Sequence, residues 1–425
     1  MKTLNIGVIG AGIIGVNCAA ELQSLGYQVT LLDRDGIGEG CSKGNAGHFA
    51  TEQVFPLAEF ALLPQLPKML LDPLGPVALK PRYIPKAIPW FIKFIANMFA
   101  SKRQRNKAAL QAINKHAIAC YQERLQAANA SELLIQQGSL LVFENTPREQ
   151  VVEHLQLYKD AGIKVELLDR EQVLALEPNL SDGINYALYF TEVGHTSSPY
   201  QVCQAIAKHS LALGTQFKQF NVSSIVHHSD QVEVSDGKET LSFDKVIIAG
   251  GIWSKALLNP LGYKLPIEAE RGYSLDLSQD QQTALLQRPV ASAERKFIMT
   301  PMSHGLRLAG TVEFAGLEQP ANMERADKLF ENAKHIVQNI PAYDAVQALD
   351  NQRWMGSRPS LPDSLPVIGQ APNHKNLYFA LGHQHLGLTL GAITGKLIGQ
   401  VISEKETDIN LSPFSISRFN NSWFG

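Results

Sequence analysis

Residues 6–33 read IGVIGAGIIGVNCAAELQSLGYQVTLLD, and this stretch decides the fold. It predicts an apolar strand that runs into Gly10, Gly12 and Gly15 and then into a helix. Gly10 allows a tight turn, Gly12 lets the backbone approach a pyrophosphate, and Gly15 lets the helix pack closely on the strand. The helix N-terminus offers free N–H groups and a positive dipole end to phosphates. The stretch therefore predicts a dinucleotide site.

An acidic residue closes this motif. A second strand is predicted to end at Asp33, whose carboxylate would accept hydrogen bonds from a ribose hydroxyl. We expect the neighbouring residues Ile13, Ile14 and Arg34 to contact the same ligand. A glycine turn alone is weak evidence, but here it lies in a strand–turn–helix–strand frame with a terminal acid, which makes the signal strong.

The composition is that of a folded globular protein with two domains. The chain has 425 residues, of which 45% are hydrophobic and 18% charged. Its net charge of -2 gives no sign of nucleic-acid binding. The four cysteines are widely spaced and indicate neither a disulfide framework nor a metal site, so we expect a reducing cytoplasm. No apolar stretch is long enough to predict a membrane-spanning helix.

Patterns typical of a nucleotide-binding domain occur at the start, the middle and the end of the chain. We therefore predict an α/β fold (α+β overall) with a discontinuous Rossmann-like domain and a second domain built on a mixed, largely antiparallel sheet. The first domain is assigned to 1–55, 185–265 and 350–425, and the second, which would bind substrate, to 56–184 and 266–349.

Three further segments are predicted to meet the dinucleotide. GEGCSKGNAGH at 38–48 follows Asp33 closely, and its small residues would let a flat ring approach the backbone. VIIAGGIWS at 246–254 is an apolar strand that returns the chain to the cofactor. GSRPSLPDSLPVIG at 356–369 precedes YFALGHQHLGLTLGAITG at 378–395, which reads as strand, glycine loop and helix. The cofactor contacts predicted in these segments are Ser42, Asn45, Ala46, Gly47, Gly250, Gly251, Trp253, Gly382, His383, Gly387, Leu388 and Thr389.

Together these motifs resemble the FAD-dependent amino-acid oxidase superfamily, which includes D-amino-acid oxidase, glycine oxidase, sarcosine oxidase and bacterial D-amino-acid dehydrogenase. The dehydrogenase branch is the most similar, through S-x-x-N-A-G at residue 42, R-G-Y-S at residue 271 and R-P-x-x-P-D-x-x-P-x-I-G at residue 358. The segments PDSLPVIG and GHQHLGLT resemble its D-hydroxyproline/D-proline subgroup more than the D-alanine type. The resemblance covers nearly the whole chain.

The resemblance implies bound FAD, a D-amino acid over its re face, and hydride transfer from the substrate Cα to flavin N5, which gives an imino acid or, after hydrolysis, a keto acid. The loop from Gly382 to Gly387 would aim a helix N-terminus at the flavin N1–C2=O edge, where negative charge collects on reduction. The sarcosine-oxidase group attaches its flavin through a C-terminal cysteine. Because this chain has no cysteine after Cys203, we predict non-covalent FAD.

Arg358 is the residue predicted to bind the substrate carboxylate, because guanidinium presents a planar fork suited to it. A structural salt bridge is the alternative. Arg271 and Tyr273 are further candidates, although Arg271 could pair instead with Glu268 or Glu270, and Tyr273 could belong to the core.

Three histidines lie near the predicted flavin site. His48 follows the N-A-G turn, where related enzymes place a substrate-contacting residue. His385 is predicted to touch flavin or substrate. His383 is predicted to lie against the flavin loop in a structural role.

The sequence leaves the electron acceptor open. The apolar stretch 87–99, predicted to be helical, precedes basic residues at 102–107 and a long helix predicted at 106–130. This region could rest peripherally on the inner face of the cell membrane and pass electrons to a quinone, or it could pack within the substrate domain. The alternatives to a dehydrogenase of D-proline, cis-4-hydroxy-D-proline or another D-amino acid are a glycine/sarcosine-type oxidase using O2, a non-catalytic FAD-binding partner protein and an NAD-dependent dehydrogenase.

Overall fold

The structure is a computed structural model that describes residues 3–60, 72–278, 284–340, 342–344 and 352–419. Its strands, in chain order, are β1 (Asn5–Ile9), β2 (Gln28–Asp33), β3 (His48–Phe49), β4 (Val77–Leu79), β5 (Ser139–Phe143), β6 (Val165–Asp169), β7 (Tyr186–Phe190), β8 (Gly194–His195), β9 (Gln216–Gln219), β10 (Ser224–His227), β11 (Val232–Ser235), β12 (Thr240–Phe243), β13 (Lys245–Ile248), β14 (Glu268–Ser278), β15 (Val290–Ser292), β16 (Phe297–Met302), β17 (Gly305–Phe314), β18 (Arg353–Ser360), β19 (Val367–Ala371) and β20 (His374–Leu381). Its α-helices are α1 (Ile13–Ser24), α2 (Ile84–Ala96), α3 (Ala100–Asn114), α4 (Ala117–Ala127), α5 (Arg148–Asp160), α6 (Arg170–Leu176), α7 (Pro199–Ala212), α8 (Ser254–Leu258), α9 (Glu324–Ile336) and α10 (Gly387–Ile402).

The first sheet carries the predicted dinucleotide motif. Its strand order is β19-β20-β13-β1-β2-β9, and all neighbours are parallel except β19 and β20. β1 and β13 are buried along nearly their whole length, as expected of parallel strands covered on both faces. α1, α4, α7 and α10 share a core with one face. The β10-β11-β12 meander contributes to the core on the other side.

Small residues let α1 and α10 lie close together under this sheet. A Cβ at Gly395 of α10 would lie 2.6 Å from the backbone oxygen of Asn17 on α1. No larger side chain fits at that crossing without a shift of one helix. The close packing fixes α10, and with it the loop that precedes it, relative to the glycine turn.

The second sheet has the order β18-β14-β17-β16-β15-β5-β7-β6, with β4 added to β17. It is largely antiparallel, with parallel pairs at β15–β5 and β17–β4. α9 packs on it through its buried face, which includes Leu329, Ala333 and Ile336. The predicted fold class, an α/β protein with a Rossmann-like sheet and a mixed, largely antiparallel second sheet, is confirmed.

The division into domains stays a prediction. Two strands near its borders belong to the second sheet, although the predicted boundaries place them in the dinucleotide-binding segments. These strands are β7 and β18. β18 matters for function, because it pairs along its full length with β14 and carries Arg358.

The single long helix predicted at 106–130 is wrong. The chain forms two helices, α3 and α4, separated at Lys115 and His116. Ile113 of α3 and Tyr121 of α4 are both fully buried in the core that contains α1 and α10, and the break lets both helices reach it. The predicted basic stretch belongs to the first two turns of α3. No helix in the described ranges has the length and apolarity needed to cross a bilayer.

Candidate functional site

One cavity, of about 770 Å³, extends from the carboxyl ends of β1, β2 and β13 to the second sheet. Most of the residues predicted to contact a cofactor line it: Gly10, Gly12, Ile13, Ile14, Asp33, Arg34, Ser42, Asn45, Ala46, Gly250, Gly251, Trp253, Gly382, His383, Gly387 and Leu388. Four of the five predicted catalytic residues line it as well: His48, Tyr273, Arg358 and His385. Segments more than 300 residues apart in sequence therefore meet at one site.

The glycine turn has the geometry that its sequence predicts. Gly10 has a φ of 104°, in the region that favours glycine. A Cβ at Gly15 would lie 1.7 Å from the carbonyl oxygen of Gly10, so only glycine lets α1 approach the turn. Gly15 thus does not line the cavity and acts by packing. Ser42 accepts a hydrogen bond of 2.8 Å from the N–H of Ile13, which ties the second glycine segment to the start of α1.

Asp33 lies at the end of β2, facing the cavity. Its Oδ2 accepts the N–H of Ala11 at 2.7 Å, and its Oδ1 accepts the N–H of Asp35 at 2.9 Å. These bonds, with a further one from the N–H of Gly36 to Oδ1 at 3.3 Å, hold the carboxylate in place, and Oδ2 keeps a lone pair for a ligand hydroxyl. Beside it, the guanidinium of Arg34 lies 4.2 Å from the centre of the Trp253 ring, and the two side chains form a flat wall.

The C-terminal loop brings the N-terminus of α10 to the cavity. Gly382 has a φ of 79°, and a Cβ there would lie 2.3 Å from Leu361. Gln384 donates a hydrogen bond of 2.7 Å to the backbone oxygen of Leu361, which fixes the turn. Gly387 and Leu388, the first residues of α10, then face the cavity with their N–H groups unpaired within the helix.

Two predicted cofactor contacts have structural roles outside the cavity lining. The hydroxyl oxygen of Thr389 accepts the N–H of Ala50 at 2.9 Å, which joins the segment after β3 to the first turn of α10. Gly47 has a φ of 66°, and a Cβ there would lie 2.8 Å from the backbone oxygen of Thr196. Both residues shape the loop whose neighbours line the cavity.

His383 lines the cavity, but its ring is buried and hydrogen-bonded. Its Nε2 is 2.9 Å from the hydroxyl oxygen of Thr394. Burial lowers the pKa of His383 to about 3, so the ring is neutral near pH 7. This arrangement suits the structural role predicted for it.

Arg358 belongs to a cluster around the buried Glu270, its cross-strand partner on β14. Arg358 Nη1 lies 3.1 Å from Glu270 Oε1, and His385 Nε2 lies 2.9 Å from the same oxygen. The Ser360 hydroxyl donates to Glu270 Oε2 at 2.6 Å. One edge of the guanidinium is thus held in place, while Arg358 still lines the cavity and can offer its remaining N–H groups to a ligand.

The charges of this cluster are balanced. Burial raises the pKa of the Glu270 carboxyl, but the neighbouring His385 and Arg358 and the hydrogen bonds from Ser360 and Arg358 outweigh it and leave that pKa below its usual value. Burial lowers the pKa of His385 more than Glu270 raises it. Near pH 7 the cluster therefore holds a carboxylate, a guanidinium and a neutral imidazole that donates through Nε2. Sequence reasoning named Glu270 only as an alternative partner of Arg271.

Glycines make room for the large side chains of the site. A Cβ at Gly272 would lie 2.1 Å from Arg358 Nη2. A Cβ at Gly44 or Gly356 would lie 2.2 Å or 2.0 Å from the ring of Trp354. Trp354, which sequence reasoning missed, is thus held between two glycine backbones and lines the cavity as a flat aromatic wall.

Arg271, predicted as a candidate site residue, is directed away from the cavity. It is fully buried, and it pairs with neither Glu268 nor Glu270. Its guanidinium donates to the backbone oxygens of Gly316 and Gln319 at 2.9 Å and 2.5 Å, and it lies 3.4 Å from Glu313. Side chains alternate along a strand, so Arg271 and Glu270 point to opposite faces of β14. Arg271 therefore has a structural position.

Tyr273 lines the cavity, but its hydroxyl has a partner. It donates a hydrogen bond of 2.6 Å to Glu313, and it accepts the N–H of Asn322 at 3.2 Å. Burial and Glu313 raise the pKa of Tyr273 to about 12, so the phenol stays protonated near pH 7. The ring is 1% exposed and packs in the core between the second sheet and α9, so Tyr273 has a structural position at the edge of the cavity.

His48 lies on β3 beside an acid that sequence reasoning missed. Its Nε2 is 3.8 Å from Oε1 of Glu52, and both residues line the cavity. Burial lowers the pKa of His48 to about 4 and raises the pKa of Glu52 to about 7. One signal could have identified Glu52, namely an acid four residues after the histidine in an otherwise uncharged stretch.

Cys41 is the cysteine that lines the cavity. Its thiol donates to the backbone oxygen of Ser357 at 3.0 Å. Burial raises the pKa of Cys41 to about 11, which keeps the sulfur protonated and weakly nucleophilic.

Comparison with known proteins gives a consistent result. The family model described as "DAO: FAD dependent oxidoreductase" matches residues 5–401. A D-amino-acid oxidase of Bradyrhizobium diazoefficiens is 32% identical over 423 residues, which cover 98% of this chain and 99% of that protein. A D-amino acid dehydrogenase of Vibrio vulnificus is 29% identical over 408 residues, covering 94% and 96%.

Solved structures share the fold. The glycine oxidase of Geobacillus kaustophilus superposes with a TM-score of 0.72 at 22% identity, over 98% of this chain and 99% of that one. The L-proline dehydrogenase of P. horikoshii superposes with a TM-score of 0.70 at 17% identity, over 99% and 98%.

Proposed function

Since the chain belongs to the DAO family of FAD-dependent oxidoreductases, we propose that it oxidises a D-amino acid at its Cα. The observation that carries this proposal is the position of Arg358. It lines the same cavity as the start of α10, and its ion pair with Glu270 holds the guanidinium in place. The relatives in Bradyrhizobium diazoefficiens and Vibrio vulnificus, named for D-amino acids, support the stereochemistry.

The residues of the cavity fit FAD. Gly10, Gly12 and the start of α1 form the cradle for a pyrophosphate, and Asp33 is held where a ribose would lie. The N-terminus of α10 would face the flavin ring, whose N1–C2=O edge gains negative charge on reduction. FAD, when bound, supplies the acceptor of a hydride from the substrate Cα at its N5.

The chain's own residues bind and orient the substrate. Arg358 would receive the substrate carboxylate through the N–H groups that Glu270 does not use. The Trp354 ring would contact the substrate side chain, and buried apolar walls would exclude water from the reacting carbon. Because Nη1 is occupied by Glu270 and by the backbone oxygen of Thr311, the carboxylate would bind at the remaining N–H groups, which would help to orient the substrate.

We propose that the substrate is a cyclic secondary amine, D-proline or cis-4-hydroxy-D-proline. The support is the sequence of the segment that carries Arg358 and of the loop before α10, which resembles the D-hydroxyproline/D-proline subgroup. A flat wall such as the Trp354 ring would suit a small ring substrate.

We further propose that the electrons pass to a membrane quinone. α2 buries Ala87 and Trp90 and leaves a stripe of apolar side chains in solvent. This stripe, Ile84, Ile88, Ile92, Ile95 and Phe99, is between 39% and 58% exposed. Such a stripe is typical of a helix that lies in a membrane interface.

Charge favours an anionic surface as the partner of this stripe. Residues 73–122 contain nine lysines and arginines and no aspartate or glutamate, although the whole chain has a net charge of -2. Attraction to anionic lipids contributes roughly 1 kcal/mol for each basic residue near the surface. The opposite face of α2 packs on the second sheet, where the ring centres of Phe91 and Phe314 are 5.1 Å apart. The alternative that this region packs within the protein therefore holds for that face alone.

The proposal is tested by anaerobic reduction of the bound flavin. A panel of D-amino acids, their L-enantiomers, glycine and sarcosine is mixed with the holoprotein, and loss of flavin absorbance is followed. We expect reduction by a D-amino acid, with the cyclic substrates fastest, and loss of substrate affinity in Arg358→Ala with partial retention in Arg358→Lys. A protein whose flavin no amino acid reduces would be a non-catalytic FAD-binding protein, and rapid peroxide release in air would identify an oxidase.

A further inference from the structure

The amino group of the substrate needs a partner as much as its carboxylate does. Within the described ranges, the acids that line the cavity are Asp33, Asp35 and Glu52. Asp33 and Asp35 belong to the ribose end, after β2. Glu270 is engaged by Arg358 and two other donors. Glu52 is the acid that remains on the flavin side of the cavity.

Glu52 is fixed close to the start of α10. The N–H of Ala50, two residues earlier, donates to Thr389 in the first turn of that helix. Glu52 is 4% exposed, and its Oε2 has no hydrogen-bond partner. Its Oε1 lies 3.8 Å from His48 Nε2, which is beyond hydrogen-bond distance and leaves that nitrogen unpartnered as well.

Glu52 keeps a side-chain hydrogen bond with Gln53, but its Oε2 stays unpaired, and a missing hydrogen bond at a buried oxygen costs roughly 1–3 kcal/mol and more for a charged group. The titratable and charged groups facing Glu52 offer little compensation. They are His48 on β3, which burial keeps neutral, and Tyr158 on α5, whose phenol stays protonated because burial and the charge of Glu52 raise its pKa. A cationic ligand nitrogen would remove this cost.

We infer that Glu52 is a substrate-contacting residue, which accepts a hydrogen bond from the amino group of the amino acid whose carboxylate Arg358 binds, and then takes one proton from it. The inference rests on the proposed function. An amino acid in water carries an ammonium group, and its Cα–H can leave as hydride only when the nitrogen has a free electron pair. In the step assigned here the N–H bond breaks, the proton goes to a carboxylate oxygen of Glu52, and the electron pair stays on nitrogen.

The electrostatics of the pocket suit this step. Burial raises the pKa of Glu52 to about 7, so both its forms are present at neutral pH, which is the condition for efficient proton transfer there. The transfer converts a carboxylate and an ammonium group into a neutral carboxyl and a neutral amine, so the net charge of the cavity does not change.

The first test uses Glu52→Gln, which keeps the shape and removes the base. A positioned base contributes typically 10²–10⁴-fold, so we expect flavin reduction at low substrate concentration to slow by about 100-fold or more. Propionate, a carboxylate without an amino group, should bind within about threefold of wild type, as followed by its effect on the flavin spectrum. Glu59→Gln is the matched control, because Glu59 is 46% exposed, pairs with Arg103 and does not line the cavity.

The second test is the pH profile, which needs no variant that could misfold. In the wild type, the reduction rate at low substrate should rise through the pKa of Glu52, about 7, and rise again as the substrate ammonium itself titrates. Glu52→Gln should lose the lower limb, and Glu52→Asp should keep it at a reduced rate. Propionate binding should show no such limb.

Three results would overturn the inference. They are a wild-type rate and pH profile in Glu52→Gln, a loss of propionate affinity as large as the loss of substrate affinity, and a limb near pH 7 that survives in Glu52→Gln. If the wild-type flavin were reduced by no amino acid, the proposed function would fall together with the inference, so the two failures are distinguishable.

Discussion

Replacing Gly272 by alanine should displace Arg358 without changing its charge. The added Cβ would lie 2.1 Å from Nη2 and 2.3 Å from Cζ of Arg358. Non-bonded heavy atoms prefer about 3.5–4.0 Å, so the guanidinium must move by roughly 1 Å or more. The anchor to Glu270 Oε1, 3.1 Å in the native arrangement, then breaks or bends.

The size of the effect follows from the bonds that Arg358 makes. A hydrogen bond between charged groups contributes about 1.5–3 kcal/mol, and losing one from a two-pronged carboxylate contact corresponds to roughly 10- to 150-fold in affinity. We therefore expect Gly272→Ala to weaken substrate binding by about that factor. The formation of β14 should not be weakened, because alanine suits a strand better than glycine, and the flavin content should stay that of the wild type.

The assay is an anaerobic titration of the holoprotein with substrate, followed by the flavin absorbance, in parallel with thermal unfolding. Gly183→Ala is the matched control, because a Cβ there meets nothing closer than the Ser181 hydroxyl at 3.4 Å. If Gly272→Ala bound substrate with wild-type affinity while retaining FAD, the guanidinium of Arg358 would not be the carboxylate site. Equal losses in both glycine variants would point to a general effect on stability.

Three further outcomes are expected. Acid precipitation should release the flavin into the supernatant, because the raised pKa of Cys41 disfavours a thiolate attack on the ring; a protein-bound chromophore would contradict this. Changing both Ile88 and Ile92, which are 47% and 55% exposed, to serine should weaken binding to anionic vesicles by about 2 kcal/mol, or roughly 30-fold. Leu157→Ser on α5 is the control and should leave vesicle binding unchanged. Wild-type vesicle binding by the Ile88 and Ile92 double variant would contradict the membrane proposal. Because burial lowers the pKa of His383 to about 3, the unfolded chain takes up a proton at this residue first as the pH falls below the ordinary value of about 6.5. The free energy of unfolding should therefore decrease, through this residue, by about 1.4 kcal/mol per pH unit from there down to about pH 3. Urea unfolding at pH 7 and pH 5 measures this, and His383→Gln should have a shallower slope; an unchanged slope would mean that the ring is not buried neutral.

The dinucleotide half of the site was predictable because its determinants are local. The turn at Gly10, the close packing at Gly15 and the acid at Asp33 all follow from steric limits within a single strand–turn–helix–strand unit. The loop before α10 was predictable for the same reason, since Gly382 must adopt a positive φ and Gly387 begins a helix. These constraints act between residues that are close in sequence.

The substrate half was less predictable because it is built across strands. Glu270 faces Arg358 only through the pairing of β14 with β18, some 88 residues apart. Trp354 depends on two glycines, one of them in the segment after β2. Alternation along β14 could have shown that Arg271 and Glu270 cannot both face the cavity, but not which of them does, since that depends on the face of the sheet that packs on the dinucleotide domain.

The long helix predicted at 106–130 failed for a related reason. Helical periodicity runs through Lys115 and His116 without a proline or glycine, so no local signal ends α3 there. The break arises because both Ile113 and Tyr121 are drawn into the core beneath α1 and α10. Tertiary packing thus overrides local propensity at that point.

The central claim is that this cavity holds FAD and that Arg358 orients a D-amino acid so that its Cα hydrogen leaves as hydride. The most direct measurement is stopped-flow reduction of the flavin, without oxygen, by a D-amino acid and by the same compound deuterated at Cα. We expect the D-enantiomer to reduce the flavin, deuterium at Cα to slow this reduction several-fold, and the L-enantiomer to be inert. Reduction at equal rates by both isotopologues, or an oxidised flavin with every amino acid, would contradict it.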